Sequence, residues 1–314
     1  MRGRQLQAFP PVRVLITGGA GFIGSHVGRQ LLDAGHQVTI VDSLLRGHLD
    51  AVDPRAHFVR VDLADVDALT EALAGHDAVI HMAALIEVSE SVSDPLLFAQ
   101  NNIVNSVRLA EAMRSAGVNR IVFSSSATVY GVPVRLPIQE DDPTIAFNPY
   151  GATKLAMEAC LSAYHFSFGF DVILLRYFNP YGPGERHQPE THAIPNFILA
   201  ALEGRPIPLY WQGEQVRDFI YIDDLARAHT EVLGLSGLQV FNVGTEHGVK
   251  IIDVVRAIER ILGRKLEIED LGERAGDVPA NYASYRKINR AVGWRPHVDL
   301  EEGLRRTIEY FSRQ

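Results

Sequence analysis

Two residues that could together move a proton lie in the segment Pro-Tyr-Gly-Ala-Thr-Lys, which supplies Tyr150 and Lys154. A tyrosine has a reference pKa of about 10, so it needs help to act as a general base near neutral pH. Lys154 follows four residues later, on the same face of a predicted helix. Its ammonium would stabilise the phenolate and lower the phenol pKa. Such pairs are also common on helix surfaces, so their meaning depends on the rest of the chain.

A glycine-rich turn upstream, with the sequence Gly-Gly-Ala-Gly-Phe-Ile-Gly, offers a place to bind a dinucleotide. The turn follows a predicted strand and opens a predicted helix. Its glycines allow a tight turn and bring backbone N–H groups close to a pyrophosphate at the helix N-terminus. We therefore predict cofactor contacts from Gly18, Gly21, Phe22, Ile23 and Gly24.

Carboxylates at the ends of the next two predicted strands suit other parts of a dinucleotide. Asp42 lies 18 residues beyond Gly24, where it would accept hydrogen bonds from ribose hydroxyls and repel a 2′-phosphate. NAD is therefore favoured over NADP. Arg46 could weaken that preference or be a solvated surface arginine. Asp62 and Leu63 suit the adenine edge, with a turn-capping Asp as the alternative.

The fifth predicted strand, 120–124, runs into three serines at positions 124–126. Their hydroxyls should lie at the carboxyl edge of the sheet, where ligands bind in such folds. One of them can orient a substrate hydroxyl towards Tyr150. The positive charge of an oxidised nicotinamide would add to that of Lys154, which can also donate to the nicotinamide ribose.

The composition limits the other classes of function. The chain has 314 residues, of which 46% are hydrophobic and 22% charged, and a net charge of −8 without a basic stripe. We expect no nucleic-acid or membrane partner and no metal site. The single cysteine, Cys160, excludes an internal disulfide framework and fits a reducing cytosol, so a cytoplasmic protein with a packed Cys160 is expected.

Short β-branched runs alternate with amphipathic runs through the first half, which predicts a doubly wound parallel α/β sheet of the Rossmann type. Strands buried on both faces are predicted over residues 12–17, 37–41, 57–61, 78–81, 120–124 and 172–176. Helices are predicted over residues 23–34, 66–74, 95–116 and 150–168, the third with Asp94 as its N-cap.

After about residue 178 the pattern changes to a polar loop, short helices and brief strands. Helices are predicted over 194–203, 223–235, 251–262 and 300–311, and strands over 239–243 and 266–268. We predict an NAD-binding domain over 1–178 with a return segment near 219–248. The remainder, 179–314, is predicted to form a smaller α/β C-terminal lobe that binds substrate.

Seven segments of the chain carry a family resemblance: 18–24, 81–84, Asn102, 124–131, 150–154, 176–180 and 217–224. In them the chain resembles the extended short-chain dehydrogenase/reductases, and most of all the UDP-glucose 4-epimerase group. The resemblance implies that Tyr150 is the acid/base, with Lys154 its partner and Ser126 the hydroxyl helper. It also implies tightly bound NAD and a homodimer built through helices 95–116 and 150–168.

The resemblance assigns further contacts by position. The cofactor contacts are Met82, Ala83, Ala84, Asn102, Ser124, Tyr150, Lys154 and Tyr177. The substrate contacts are Ser126 and Tyr150 on the sugar, Asn179, Arg217 and Arg274 on the diphosphate, Asp277 on the ribose and Tyr210 on uracil. The arginines fit because a guanidinium matches phosphate oxygens, although Arg217 could instead pair with Asp218 or Asp223.

The implied activity is a nucleotide-sugar 4-epimerase acting on UDP-glucose or UDP-galactose. Family members that dehydrate or decarboxylate the sugar carry carboxylates just after Ser126, where this chain has Ala127-Thr128. Two positions keep other sugars open. Asn281 leaves room for an N-acetyl group, and Arg186 could bind the carboxylate of UDP-glucuronate or pair with Glu185 or Glu190.

Two alternatives come from other classes. One is an NAD(P)-binding regulatory protein, although such proteins usually lack the tyrosine or the lysine. The other is a one-way NADPH-dependent nucleotide-sugar reductase, which Asp42 disfavours.

Overall fold

Seven β-branched segments form one parallel sheet at the centre of the molecule. A computed structural model describes residues 10–186, 192–273 and 278–314. Its strands, in chain order, are β1 (Arg13–Thr17), β2 (Gln37–Asp42), β3 (His57–Arg60), β4 (Ala78–His81), β5 (Arg120–Ser126), β6 (Asp171–Tyr177), β7 (Asn179–Tyr181), β8 (Ile207–Leu209), β9 (Val216–Arg217), β10 (Phe219–Tyr221), β11 (Leu238–Val243), β12 (Val249–Lys250), β13 (Ile268–Asp270) and β14 (Ala280–Asn281).

Helices cover both faces of this sheet and build most of the second lobe. They are α1 (Phe22–Asp33), α2 (Val66–Leu73), α3 (Val88–Ser93), α4 (Pro95–Ala99), α5 (Asn105–Ala116), α6 (Pro149–Phe168), α7 (Ala193–Glu203), α8 (Ile222–Val232), α9 (Ile251–Leu262), α10 (Arg286–Val292) and α11 (Leu300–Phe311). A π-helical segment, Gln100–Val104, joins α4 to α5, and a short 3₁₀-helix, Ala127–Tyr130, follows β5.

The order of the strands confirms the doubly wound fold. The sheet runs β11-β6-β5-β4-β1-β2-β3, and every neighbouring pair is parallel. The chain changes direction between β1 and β4, whose last residues, Thr17 and His81, are paired in register. In open parallel sheets the crevice at this switch point is where ligands bind.

Burial separates the central strands from the edge. Val14, Leu15 and Ile16 of β1 are fully buried, as a strand covered by helices on both faces requires. The prediction that the third strand is buried on both faces is wrong, because β3 is the edge strand and its residues are half-buried or exposed.

Most of the predicted helix boundaries lie close to the observed ones. Asp94 caps α4 as predicted, since its carboxylate accepts the N–H of Leu97 at 3.0 Å. The predicted helix 95–116 corresponds to α4, the π-helical segment and α5, which follow one another without a break. Asn148 caps α6 by accepting the N–H of Gly151 at 2.8 Å. The short helix α3 was not predicted, because six residues rich in serine carry little helical signal.

The C-terminal lobe shares its core with the sheet. β11 pairs with β6 in the main sheet, and one cluster of buried side chains continues from Val14 through Trp294 to Phe311. The strand predicted at 266–268 is found at Ile268–Asp270, and the helix predicted at 223–235 is Ile222–Val232. The boundary at residue 178 stays a prediction. None of the helices in the three described ranges is both long and apolar enough to cross a bilayer.

Candidate active site

A large cavity of about 890 Å³ lies between the carboxyl edge of the sheet and the C-terminal lobe. It brings most of the predicted site residues together. The cofactor candidates on its wall are Gly18, Gly21, Phe22, Ile23, Gly24, Asp42, Asp62, Leu63, Met82, Ala83, Ala84, Ser124, Tyr150, Lys154 and Tyr177. The substrate candidates are Ser126, Tyr150, Asn179, Arg186, Tyr210 and Arg217. Arg274 and Asp277 lie outside the described residues.

The glycine turn forms one end of the cavity. A Cβ on Gly18, whose φ is +72°, would lie 2.6 Å from the backbone nitrogen of Ala83, and one on Gly24 would lie 2.3 Å from the carbonyl oxygen of Gly18. These two glycines are therefore required by close backbone packing. Gly21 is the N-cap of α1, and in the described parts of the chain no side chain caps that helix. The backbone amides at the N-terminus of α1 suit a pyrophosphate, so the turn fits a dinucleotide.

Asp42 caps the turns around it and also lines the cavity. Its carboxylate accepts the N–H of Ala20 at 3.0 Å and that of Leu44 at 2.8 Å, and it also lines the cavity at the end of β2. A carboxylate fixed in this way retains acceptor capacity for ribose hydroxyls. Arg46, which also lines the cavity, pairs with Glu90 at 3.0 Å, so its guanidinium is not simply solvated.

Two other cofactor candidates have structural roles of their own. Asp62 accepts the N–H of Ala64 at 2.8 Å, which is the turn-capping role considered as the alternative. Asn102 lies behind the cavity wall. Its side chain bonds both the N–H and the carbonyl of Leu85 at 2.9 Å and the hydroxyl of Thr153 at 3.1 Å. Asn102 thus ties the loop after β4 to α6, and direct contact with a cofactor stays a prediction.

Lys154 is deeply buried beside the phenol. It is only 3% exposed, and its ammonium donates to the carbonyl of Ser124 at 2.8 Å. The Nζ atom lies 5.9 Å from the centre of the Tyr150 ring. Burial lowers the pKa of Lys154 to about 7, while the carboxylate of Glu158 opposes that shift. The lysine can therefore change its charge near neutral pH.

The pKa of Tyr150 differs from the expectation. Burial raises it to about 12, the Ser126 hydroxyl acts to lower it, and the charge of Glu87 raises it further. The sequence predicts that Lys154 lowers the phenol pKa, but in the structure burial is the largest influence and raises it. The phenol is therefore protonated at neutral pH in the protein alone.

A buried ion pair that includes Glu158, one helical turn after Lys154, was missed by the sequence analysis. Arg176 of β6 donates to the two oxygens of Glu158 of α6 at 2.9 and 2.6 Å, and Ser125 donates to the same carboxylate at 2.5 Å. Arg176 also donates to the Tyr130 hydroxyl at 2.8 Å. A signal existed, because Glu158 follows Lys154 by four residues on the same helix face.

The substrate side of the cavity is built from β7, β9 and the loop before α7. The Asn179 amide donates to the carbonyl of Asp218 at 3.0 Å. Arg217 donates to the carbonyls of Val216 and Val278 at 2.9 Å. The Asp218 carboxylate, considered as a partner for Arg217, is instead bonded to the hydroxyl and N–H of Thr245 at 2.6 and 2.7 Å.

Arg186 has a partner that was not predicted. Its guanidinium forms two hydrogen bonds with Asp50, at 2.8 and 3.0 Å, and Glu185 pairs with His192 instead. Glu190 and His187 lie outside the described residues. Asn281 is on β14 and is not among the described residues that line the cavity. Among all the residues that the structure describes, no cluster of three or more His, Cys, Asp or Glu side chains could hold a metal.

Comparisons with known proteins agree with this geometry. The sequence pattern of the NAD dependent epimerase/dehydratase family matches residues 14–244. The chain is 38% identical over 307 residues to a UDP-glucose 4-epimerase of Lacticaseibacillus casei, covering 91% of this chain and 92% of that protein.

Two solved structures show the same fold along nearly the whole chain. One is a UDP-N-acetylglucosamine 4-epimerase from Methanobrevibacter ruminantium M1 in complex with UDP-N-acetylmuramic acid, with a TM-score of 0.92, 35% identity and coverage of 98% and 100%. The other is a UDP-glucose 4-epimerase from Brucella ovis in complex with NAD, with a TM-score of 0.91, 38% identity and coverage of 96% and 98%. The chain belongs to the NAD dependent epimerase/dehydratase family.

Proposed function

We propose that this protein is an NAD-dependent nucleotide-sugar 4-epimerase that inverts C4 of a UDP-hexose, interconverting UDP-glucose and UDP-galactose. The observation that carries the proposal is the position of Tyr150, Lys154 and Ser126 on the wall of the same cavity as the glycine turn. The UDP-glucose 4-epimerases to which the chain is similar support the same reaction.

The residues of the chain divide the work of the reaction. NAD, when bound against the glycine turn, would supply the hydride chemistry at C4 of the sugar. Tyr150 takes the proton of the C4 hydroxyl and later returns one. Ser126, whose Oγ accepts hydrogen bonds from the Thr128 N–H at 3.2 Å and hydroxyl at 3.0 Å, can donate its own proton towards a sugar oxygen.

The positive groups in the site lower the energy of the phenolate. Lys154 contributes a charge that varies near neutral pH, since burial lowers its pKa to about 7. A cationic nicotinamide beside Tyr150 would favour the phenolate further and offset the effect of burial. Proton removal by Tyr150 therefore depends on cofactor binding, so the reaction proceeds only when cofactor and substrate are both bound.

The residues after Ser126 favour epimerisation over elimination. Elimination of water from the sugar requires an additional acid and base close to the ring. The chain has Ala127 and Thr128 at these positions, within the 3₁₀-helix Ala127–Tyr130. The Thr128 hydroxyl already donates to Ser126, so it positions that serine.

The proposal extends to the partners. Asp42 favours NAD over NADP, and Asn179, Arg217, Arg274, Asp277 and Tyr210 hold the UDP portion. A homodimer through α5 and α6 is supported by the family likeness and by the exposed Phe166 and Phe168 near the end of α6. A cytoplasmic location is supported by the single cysteine.

The test is direct. The purified protein is incubated separately with UDP-glucose, UDP-N-acetylglucosamine and UDP-glucuronate, and C4 inversion is followed by NMR. We expect UDP-glucose to equilibrate with UDP-galactose without added reductant, and NAD to be released on denaturation. Bound NADP would favour the reductase, and no conversion of any UDP-sugar would favour the regulatory protein.

A further inference from the structure

A buried carboxylate in the cavity has no place in the mechanism described above. Glu87 lies in the loop between β4 and α3, is only 4% exposed, and lines the same cavity as Tyr150 and Ser126. Its charge is close enough to act on the ionisation of Tyr150. Carboxylate oxygens accept hydrogen bonds from hydroxyl groups. Glu87 therefore offers an acceptor to a substrate bound in this cavity.

The protein supplies few donors to this carboxylate. Its Oε2 atom accepts the N–H of the adjacent Ile86 at 3.2 Å. In the described ranges no lysine, arginine or histidine forms an ion pair with it. A carboxylate has about four acceptor positions, so most of the acceptor capacity of Glu87 is left for a ligand in the cavity.

We propose that Glu87 is a specificity-determining residue, which accepts a hydrogen bond from a hydroxyl of a neutral hexose and excludes UDP-glucuronate. The inference rests on the proposed function and narrows its substrate class. Sugar hydroxyls are donors and can satisfy a carboxylate. A uronate would bring a second negative charge into the same cavity, where two like charges repel each other.

The position of Arg186 agrees with this selection. A guanidinium free to bind a C6 carboxylate could offset the repulsion from Glu87. In the structure both terminal nitrogens of Arg186 are bonded to Asp50, at 2.8 and 3.0 Å. A uronate would have to compete with Asp50 for this arginine, and it would still meet Glu87.

The experiment compares Glu87→Gln with the wild type. Glutamine keeps the size of the side chain and removes its charge. Glu71→Gln, on the exposed face of α2, removes the same charge far from the cavity and serves as the control. The measured quantity is the ratio of kcat/KM for UDP-glucose to kcat/KM for UDP-glucuronate.

We expect Glu87→Gln to lower this ratio at least ~10-fold, mainly through a lower KM for UDP-glucuronate. We also expect the acidic limb of the pH profile with UDP-glucose, along which activity rises as Tyr150 loses its proton, to move to lower pH, because a negative charge that raises the pKa of Tyr150 is lost. Glu71→Gln should change neither quantity. A ratio within twofold of the wild-type value in Glu87→Gln would overturn the inference.

A second measurement does not depend on the variant. Calorimetric binding to the wild-type holoenzyme should give a Kd for UDP-glucuronate at least ~10-fold weaker than that for UDP-glucose. Equal affinities would overturn the role of Glu87 while leaving a UDP-hexose 4-epimerase intact. Failure to convert any UDP-sugar would overturn the proposed function itself.

Discussion

The buried pair between Glu158 and Arg176 should be one of the most sensitive points for stability, and Glu158→Gln tests this. The side chains of Arg176 and Glu158 are only 7% and 6% exposed, and two hydrogen bonds join them at 2.9 and 2.6 Å. Breaking a buried pair from one side leaves an uncompensated charge, which costs roughly 3–5 kcal/mol. We expect Glu158→Gln to lower the free energy of unfolding by about that amount.

The assay is urea unfolding of the cofactor-free protein, followed by circular dichroism. Glu302→Gln is the matched control, because it breaks the Glu302–Arg306 pair, whose side chains are 47% and 45% exposed. An exposed pair contributes only about 0–1 kcal/mol. If Glu158→Gln costs no more than Glu302→Gln, the reasoning about the buried charge is refuted.

A double variant separates charge from packing. Glu158→Leu combined with Arg176→Met removes both charges and keeps most of the side-chain volume. It should be less destabilised than Glu158→Gln alone, since no unpaired buried charge remains. In the same series the pKa of Lys154 should fall further in Glu158→Gln, because the carboxylate that opposes its lowering is lost.

Two further predictions concern the cofactor and the lysine. Asp42→Asn should weaken NAD binding roughly 10-fold or more and raise the NADP/NAD affinity ratio, since a charged acceptor for ribose hydroxyls is replaced by a neutral one; fluorescence titration measures both constants, and unchanged constants would contradict the assignment. For Lys154→Met the test is the pH dependence of unfolding. Burial lowers the folded-state pKa of Lys154 to about 7, so between that pH and ~10.4 the unfolded chain binds the extra proton. Wild-type stability should therefore rise with pH in this window by up to ~1.4 kcal/mol per pH unit, and level off at its lower value below pH 7, where the folded and unfolded states both bind the proton. The variant should lack the contribution of this lysine, and parallel curves for the two proteins would contradict the lowered pKa.

Much of the sheet and its site was predictable because local rules and long-range packing agree there. The seven strands of the central sheet were all predicted, since β-branched runs buried by helices carry a strong signal. The glycine turn could be located because its glycines are regularly spaced and lie between a predicted strand and a predicted helix. The residues of a strand do not show whether that strand lies at the edge of the sheet, which is why the burial of β3 was predicted wrongly.

The remaining features depend on contacts between distant segments. The sequence allows Arg186 to bind a sugar carboxylate or to pair within its own loop, whereas in the structure it pairs with Asp50, 136 residues away. The pKa of Tyr150 depends on how deeply the phenol is buried, which its helix spacing does not reveal. The residues around Glu87 form no recognisable motif, and only the fold places this side chain on the wall of the cavity that Tyr150 also lines.

The central claim is that the Tyr150 phenol moves the proton of the sugar C4 hydroxyl, and Tyr150→Phe tests it most directly. The variant removes one oxygen and keeps the packing of the ring. We predict that its turnover of UDP-glucose falls at least ~10²-fold while NAD stays bound. Near-normal turnover with NAD bound would contradict the account.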